Sequence, residues 1–346
     1  MRGRGVNLLS ASVLALLLLL GGWQSASALD IRVSIKVILG PGGEWPDNTD
    51  TVGTTGVNLN SETAIRDNIK LSNRILASHG IGYQFVLRAD TVYTLSGFAN
   101  SWFTRNARDA AFRDDLEAAA TASAQAKQTW QWHDDSINIY INDSRSGVCS
   151  RPVDAKSVIT IGAGAYDELI VHEIGHFFAL DHTHVGSEDN MVNNWGDGDG
   201  FSETLDDDPD ASASDINNRY DGNPQPFQPQ SVRDDLIFNI MSYHSPQDRF
   251  VWQQRERFID TMNGSRSAVA LGRIRYVAPD GNNSQQGLSL ATRVATIGRA
   301  LQLTTLPNDV VLIQSGTYSL AAQGASATLS QPTTYSARRG PVTLNP

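Results

Sequence analysis

The sequence predicts an α/β (α+β) fold with a small, mainly-β C-terminal segment, and three observations carry that prediction. Short runs in which apolar and polar residues alternate are interleaved with stretches whose apolar residues recur at helical spacing. A histidine-rich apolar stretch stands at the end of that series, and charged residues become scarce beyond about residue 273. Period two buries one face of a strand, period three to four buries one stripe of a helix, and their interleaving along a chain is the pattern of a layered α/β domain.

The first thirty residues are read as a leader rather than as part of the fold. Arg2 and Arg4 make a basic start, Leu8 to Leu20 is mostly apolar, and Ala26-Ser27-Ala28 offers small residues for cleavage, which describes a secretory signal peptide over residues 1–28. The expectation is an exported protein, extracellular or periplasmic, beginning near Leu29. No later stretch approaches the roughly 20 apolar residues of a membrane span. Losing Arg2 and Arg4 takes the formal charge from −10 to −12, which disfavours nucleic acid or an anionic membrane as partner. The single cysteine, Cys149, excludes a disulfide within the chain. It is read as a packed residue, a free thiol, or a thiolate held on a metal in a latent form.

Ile31 to Leu39 alternates as a half-buried strand. A Gly-, Pro-, Asn- and Thr-rich loop follows to about residue 60, and Ala64, Ile65, Ile69, Leu71, Ile75 and Leu76 then mark a helix from Ser61 to His79, stopped by Gly80. Tyr83 to Leu95 reads as strand, Arg105 to Thr129 as an alanine-rich helical stretch, and Ile137 to Ile141 and Val158 to Ile161 as two further strands. A helix is expected from about Tyr166 to Leu180. From Gly186 to Gln230 periodicity is lost, and Asp197, Asp199, Glu203, Asp206, Asp207 and Asp208 concentrate there. Oxygen-rich irregular loops are what Ca2+ organises, so Asp197, Asp199, Asp206, Asp207 and Asp208 are candidate calcium ligands. The other reading is a plain solvated acidic loop, and Trp195, two before Asp197, keeps the usual twelve-residue calcium pattern from fitting.

Four of the seven histidines lie between His172 and His184. On a helix, His172 and His176 share a face and can both present a ring nitrogen to one ion. Glu173 is placed to reach a water on that ion rather than the ion itself. His182 follows after a gap in which the chain must leave the helix and turn back. Three neutral imidazoles leave one tetrahedral position open, as catalytic Zn2+ requires. In a competing reading Glu203 is the third ligand and His182 is incidental, which needs a second helix around Glu203. His184 and His244 could either of them lie near the site, but a surface imidazole is the default reading and neither is assigned a role.

The run from His172 to His182 resembles the metzincin zinc-peptidase signature, and Asn239-Ile240-Met241-Ser242-Tyr243 has the form of that clan's methionine-bearing turn. Within the clan the likeness is to the pappalysin family: Asp207-Asp208-Pro209 is similar to its Asp-Thr-Pro stretch, and Phe250, Gln254 and Arg257 follow the turn at the family's spacing. The resemblance covers roughly residues 30 to 262. It implies a zinc metalloendopeptidase with a mixed twisted sheet and an active-site helix over residues 29–266, acting on protein or peptide substrates. It further implies Glu173 as general base, Met241 as an apolar floor beneath the metal, and Tyr243 stabilising the oxyanion. Two departures stand out. Ala179 occupies the position of a glycine, at the point where the chain turns toward the third ligand, and the family's cysteines around the acidic loop are absent.

Residues 273–346 resemble the opening turns of right-handed parallel β-helix proteins, through a Tyr-Val-x-Pro-Asp-Gly start at Tyr276 and the Gly316-Thr317-Tyr318 close. Stacked coils need several repeats to bury a continuous core. The segment is therefore expected to be a partial solenoid that contacts a polysaccharide or a protein. A rival reading makes it the working part of a carbohydrate-binding or adhesive protein, but its only acidic residues are Asp280 and Asp309, which offers little for a paired-carboxylate hydrolase.

Overall fold

The computed structural model describes residues 29–47, 59–78, 83–145, 147–149, 158–164, 167–185, 195–222, 225–244, 246–306, 309–319 and 334–345. They fall into two units, one of residues 31–79 and 84–270, the other chiefly of residues 271–346.

The first unit is built on a five-stranded mixed sheet. β1 (Leu29–Ile38) pairs in parallel with β3 (Ile137–Asn142), and β3 pairs in parallel with β5 (Val158–Gly162). β4 (Gly147–Cys149) runs antiparallel to β5, and with β2 (Tyr83–Leu95) the order is β2-β1-β3-β5-β4. Central parallel strands are covered on both faces, and accordingly Ile31, Val33, Ile35 and Val37 are buried, as are Ser34 and Lys36 between them. β4 is three residues long and exists through its pairing with β5, so its residues carry no periodic signal of their own.

α1 (Glu62–Ser78) spans nearly the expected range, with the Ser61 hydroxyl accepting from the Ala64 N–H (3.2 Å) at its start. The alanine-rich stretch is not one helix. A short helix, α2 (Asn100–Thr104), precedes it, and the stretch itself divides into α3 (Ala110–Thr121) and α4 (Ala124–Thr129). Asp109 and Ser123 are the reason: each caps a new helix by accepting a backbone N–H, and the extended backbone of Ser123 interrupts the ladder. Phe112, Leu116 and Ala120 of α3 pack with Trp130, Trp132 and Tyr140.

The histidine stretch forms α5 (Leu169–Phe177). Beyond it, the segment expected to be irregular holds α6 (Ala213–Arg219), and α7 (Gln230–Ile237) begins where that segment ends. α6 is too short for periodicity to show, but Ser212 and Asp215 cap it reciprocally, and Ile216, Tyr220, Leu236 and Ile237 close a small core of their own. α8 (Trp252–Asn263) completes the unit.

The second unit contains β6 (Ile274–Val277), α9 (Ile297–Leu303), β7 (Val310–Ser319) and β8 (Thr334–Asn345). The strands form one parallel ladder in the order β6-β7-β8, with Val310 opposite Thr334. Val277, Val294, Ile297, Ala300, Val311, Ile313 and Tyr318 form its core.

Candidate metal centre and active site

α5 is buried along its whole length, so its periodicity is that of a core helix whose polar residues are held inside. It ends earlier than the sequence suggests, at Phe177, because Ala179 adopts a left-handed conformation with φ 67°. Phe178 N–H bonds back to Ile174 O (3.1 Å) and Leu180 N–H to Gly175 O (3.0 Å), which closes the helix and sends the chain toward His182. Alanine tolerates this turn at a cost of about 1–2 kcal/mol. Gly175 serves a second purpose: a Cβ there would lie 2.5 Å from Met241 Sδ, so the bare backbone lets the methionine turn press against the helix.

The three predicted ligands converge. His172 Nε2 lies 3.2 Å from His182 Nε2, and His176 Nε2 lies 2.9 Å from it. His172 donates from Nδ1 to Ile240 O (2.6 Å) and His176 from Nδ1 to Leu180 O (2.7 Å), which fixes both tautomers and leaves both Nε2 lone pairs facing inward. Burial pushes the His172 pKa down to about 4, with the neighbouring His184 acting in the same direction and the bond to Ile240 O opposing, so its ring stays neutral. Lone pairs brought this close repel unless a proton on His182 Nε2 or a cation lies between them. The donor set therefore fits a metal ion, and three nitrogens suit zinc. Among the described residues this is the one group of three His, Cys, Asp or Glu with ligand atoms within 4.8 Å of one another.

Glu173 is 5 % exposed on the same helix. A Cβ at Gly147 of β4 would lie 3.2 Å from Glu173 Oε1, so the edge-strand backbone borders the carboxylate. Met241 is fully buried. The Tyr243 ring stands 4.8 Å from that of His182 and 6.2 Å from that of His172.

Other expectations fare differently. Glu203 does not approach the histidines in a helix of its own; its Oε2 accepts from Gln253 N–H at 3.0 Å, toward α8. His184 and His244 are buried rather than at the surface, and the His184 ring lies parallel to that of His182 at 4.8 Å. The five candidate calcium ligands each have hydrogen-bond partners among the described residues. Asp197 accepts from Gly200 N–H, Asp208 from Asp210 N–H, and the Asp206 carbonyl from Tyr220. Asp199 accepts from Phe201 N–H, Thr204 and Gln254, and burial raises its pKa to about 6 against those bonds. Asp207 lies beside the histidine cluster, bonded to Thr183 and His244. Sequence reasoning missed that arrangement, because no spacing rule links position 207 to 183 or 244.

No protein-family model and no curated protein matches the sequence. Among solved structures the chain is similar to mature mirolysin of Tannerella forsythia in complex with a cleaved peptide, at 15% identity and a TM-score of 0.40, over 70% of this chain and 96% of that one. It is similar to a chaperone-substrate complex at 17% identity and a TM-score of 0.27, over 47% and 26% of the two chains. At these scores neither likeness carries the functional argument, which rests on the site itself.

Proposed function

We propose that the chain is a secreted, zinc-dependent endopeptidase of metzincin type. The observation that carries this reading is the convergence of three imidazole Nε2 atoms beside a buried glutamate on one helix. His172, His176 and His182 would hold the ion. Zinc bound there supplies Lewis acidity and a water of lowered pKa. Glu173 takes the proton from the attacking water and returns it to the departing amine. The edge strand β4 offers backbone groups along which an extended peptide pairs, bringing its scissile bond past Glu173. Tyr243 stands next to His182, and its phenol would donate to the oxyanion. Among the described residues no helix is long and apolar enough to cross a membrane, and export rests on the leader read in the sequence.

The C-terminal unit is proposed to be a short stack of β-coils, on the ground that its three strands are parallel, with one register shift between Gln314 and Gly316.

The test uses the full chain with casein as substrate, and zinc content measured in parallel. Glu173→Gln is expected to keep one zinc per chain and lose about 10²- to 10⁴-fold in turnover. His182→Ala should lose the zinc as well. Casein cleavage that persists in Glu173→Gln, or in chelated wild type, would refute the mechanism.

A further inference from the structure

We propose that Asp207 is a positioning residue for the third metal ligand, holding the segment that bears His182 against the turn that bears Met241 and Tyr243. This rests on the metal-centre reading above. The Asp207 carboxylate is completely buried. Its Oδ2 accepts from the Thr183 hydroxyl, and its Oδ1 accepts from His244 Nε2 at 2.7 Å. Thr183 directly follows His182, and His244 directly follows Tyr243. One carboxylate therefore bridges the residues next to the third ligand and next to the tyrosine.

The backbone reinforces the same junction. Thr183 N–H donates to Met241 O (3.1 Å), and Gly198 N–H donates to Thr183 O (3.0 Å). Asp207 and Gly196 exchange N–H to carbonyl bonds, both at 3.0 Å. At Gly198 a Cβ would lie 1.9 Å from His184 O, so the acidic loop lies directly against the ligand segment.

The need for such a tie follows from where each ligand comes from. His172 and His176 are fixed by α5 and by bonds from Nδ1 to backbone carbonyls. His182 lies past the left-handed residue Ala179, outside any helix or strand. A buried carboxylate is unfavourable unless its oxygens are bonded, and an apolar side chain would fill the space at less cost. What the carboxylate adds is direction, since donors on two sides fix Thr183 and His244 relative to each other. Hydrogen-bonded groups behind metal ligands act in this way, and their loss weakens metal binding about 10- to 100-fold.

The experiment measures zinc affinity of the full chain by competition with a chromophoric chelator, and melting of the metal-free protein beside it. Asp207→Asn and Thr183→Val are expected to bind zinc about 10- to 100-fold more weakly than wild type. Thr183→Ser, which keeps the hydroxyl, should bind close to wild type. Affinity for zinc in Asp207→Asn within twofold of wild type would overturn the proposal, even if metal-free melting falls, because the carboxylate would then support the fold alone. Should Asp207→Asn fail to fold, equal affinities in Thr183→Val and Thr183→Ser would overturn it instead. A wild type that binds no zinc, or a His172→Ala variant that binds it as tightly, would overturn the metal-centre reading and this one with it.

Discussion

Lys36 shows how much a single side chain can depart from what its type suggests. It is fully buried in β1, its Nζ donating to Asn138 Oδ1 (2.5 Å) and Ser34 O (3.1 Å) and lying 4.9 Å from the centre of the Tyr140 ring. Burial holds its pKa well below the usual 10.5, and the charge of Arg88 adds to the effect. Between the folded value and 10.5 the unfolded chain carries the extra proton, so the stability contributed through this group rises with pH across that window. Lys36→Met should therefore stabilise the protein by about 1–2 kcal/mol near neutrality. The advantage should shrink as pH climbs toward 10.5. Urea midpoints of both proteins at pH 7 and pH 10 check this, and a gain that is constant or grows with pH would contradict it. Alternation in the sequence marks Lys36 as the polar side of a strand; only the parallel neighbour β3 and the elements packed beyond it turn that side inward. Ala179 is the opposite case. The metzincin resemblance puts alanine in a glycine's place at the turn toward the third histidine, and its φ of 67° is the left-handed conformation such a position implies.

At the scale of elements, the close fit of α5 to the methionine turn is the arrangement most open to test. Gly175 leaves room for Met241 Sδ where a Cβ would intrude at 2.5 Å. Gly175→Ala gains about 1 kcal/mol in helix propensity and loses roughly 1–3 kcal/mol by forcing the sulfur aside, so a net loss of about 1 kcal/mol is expected in denaturant unfolding. In a Met241→Ala background the same substitution should cost nothing or stabilise, because the obstructing sulfur is gone. Additive losses would show that the contact is not what excludes a side chain at Gly175. Elements long enough to show a period, such as β1, α1 and α5, could be read from residue spacing. The break at Ser123 and the short helix α6 could not, since each is decided by one or two capping side chains rather than by a hydrophobic period. β4 was illegible for a different reason: a strand of three residues is defined by its partner.

At the scale of the molecule, the metal site should link folding to metal. Three ligands drawn from α5 and the segment after it are brought together only in the folded unit, so zinc held there would stabilise the native state by mass action. At free zinc about 100 times its dissociation constant the gain is about 2.7 kcal/mol. Thermal unfolding of the full chain with zinc and with chelator should show a higher midpoint with zinc, and His182→Ala should remove the difference. A midpoint indifferent to chelation would count against a site assembled by folding. The sequence by itself determined the histidine and glutamate constellation, the helix that carries it and the turn that follows, because those depend on neighbours within one or two turns of chain, where spacing maps onto geometry. Only the tertiary structure decided that Gly147 borders Glu173, that Gly175 receives Met241, and that Asp207 lies between Thr183 and His244. Those contacts join residues far apart in the chain, and their distances follow from how layers pack rather than from any local rule.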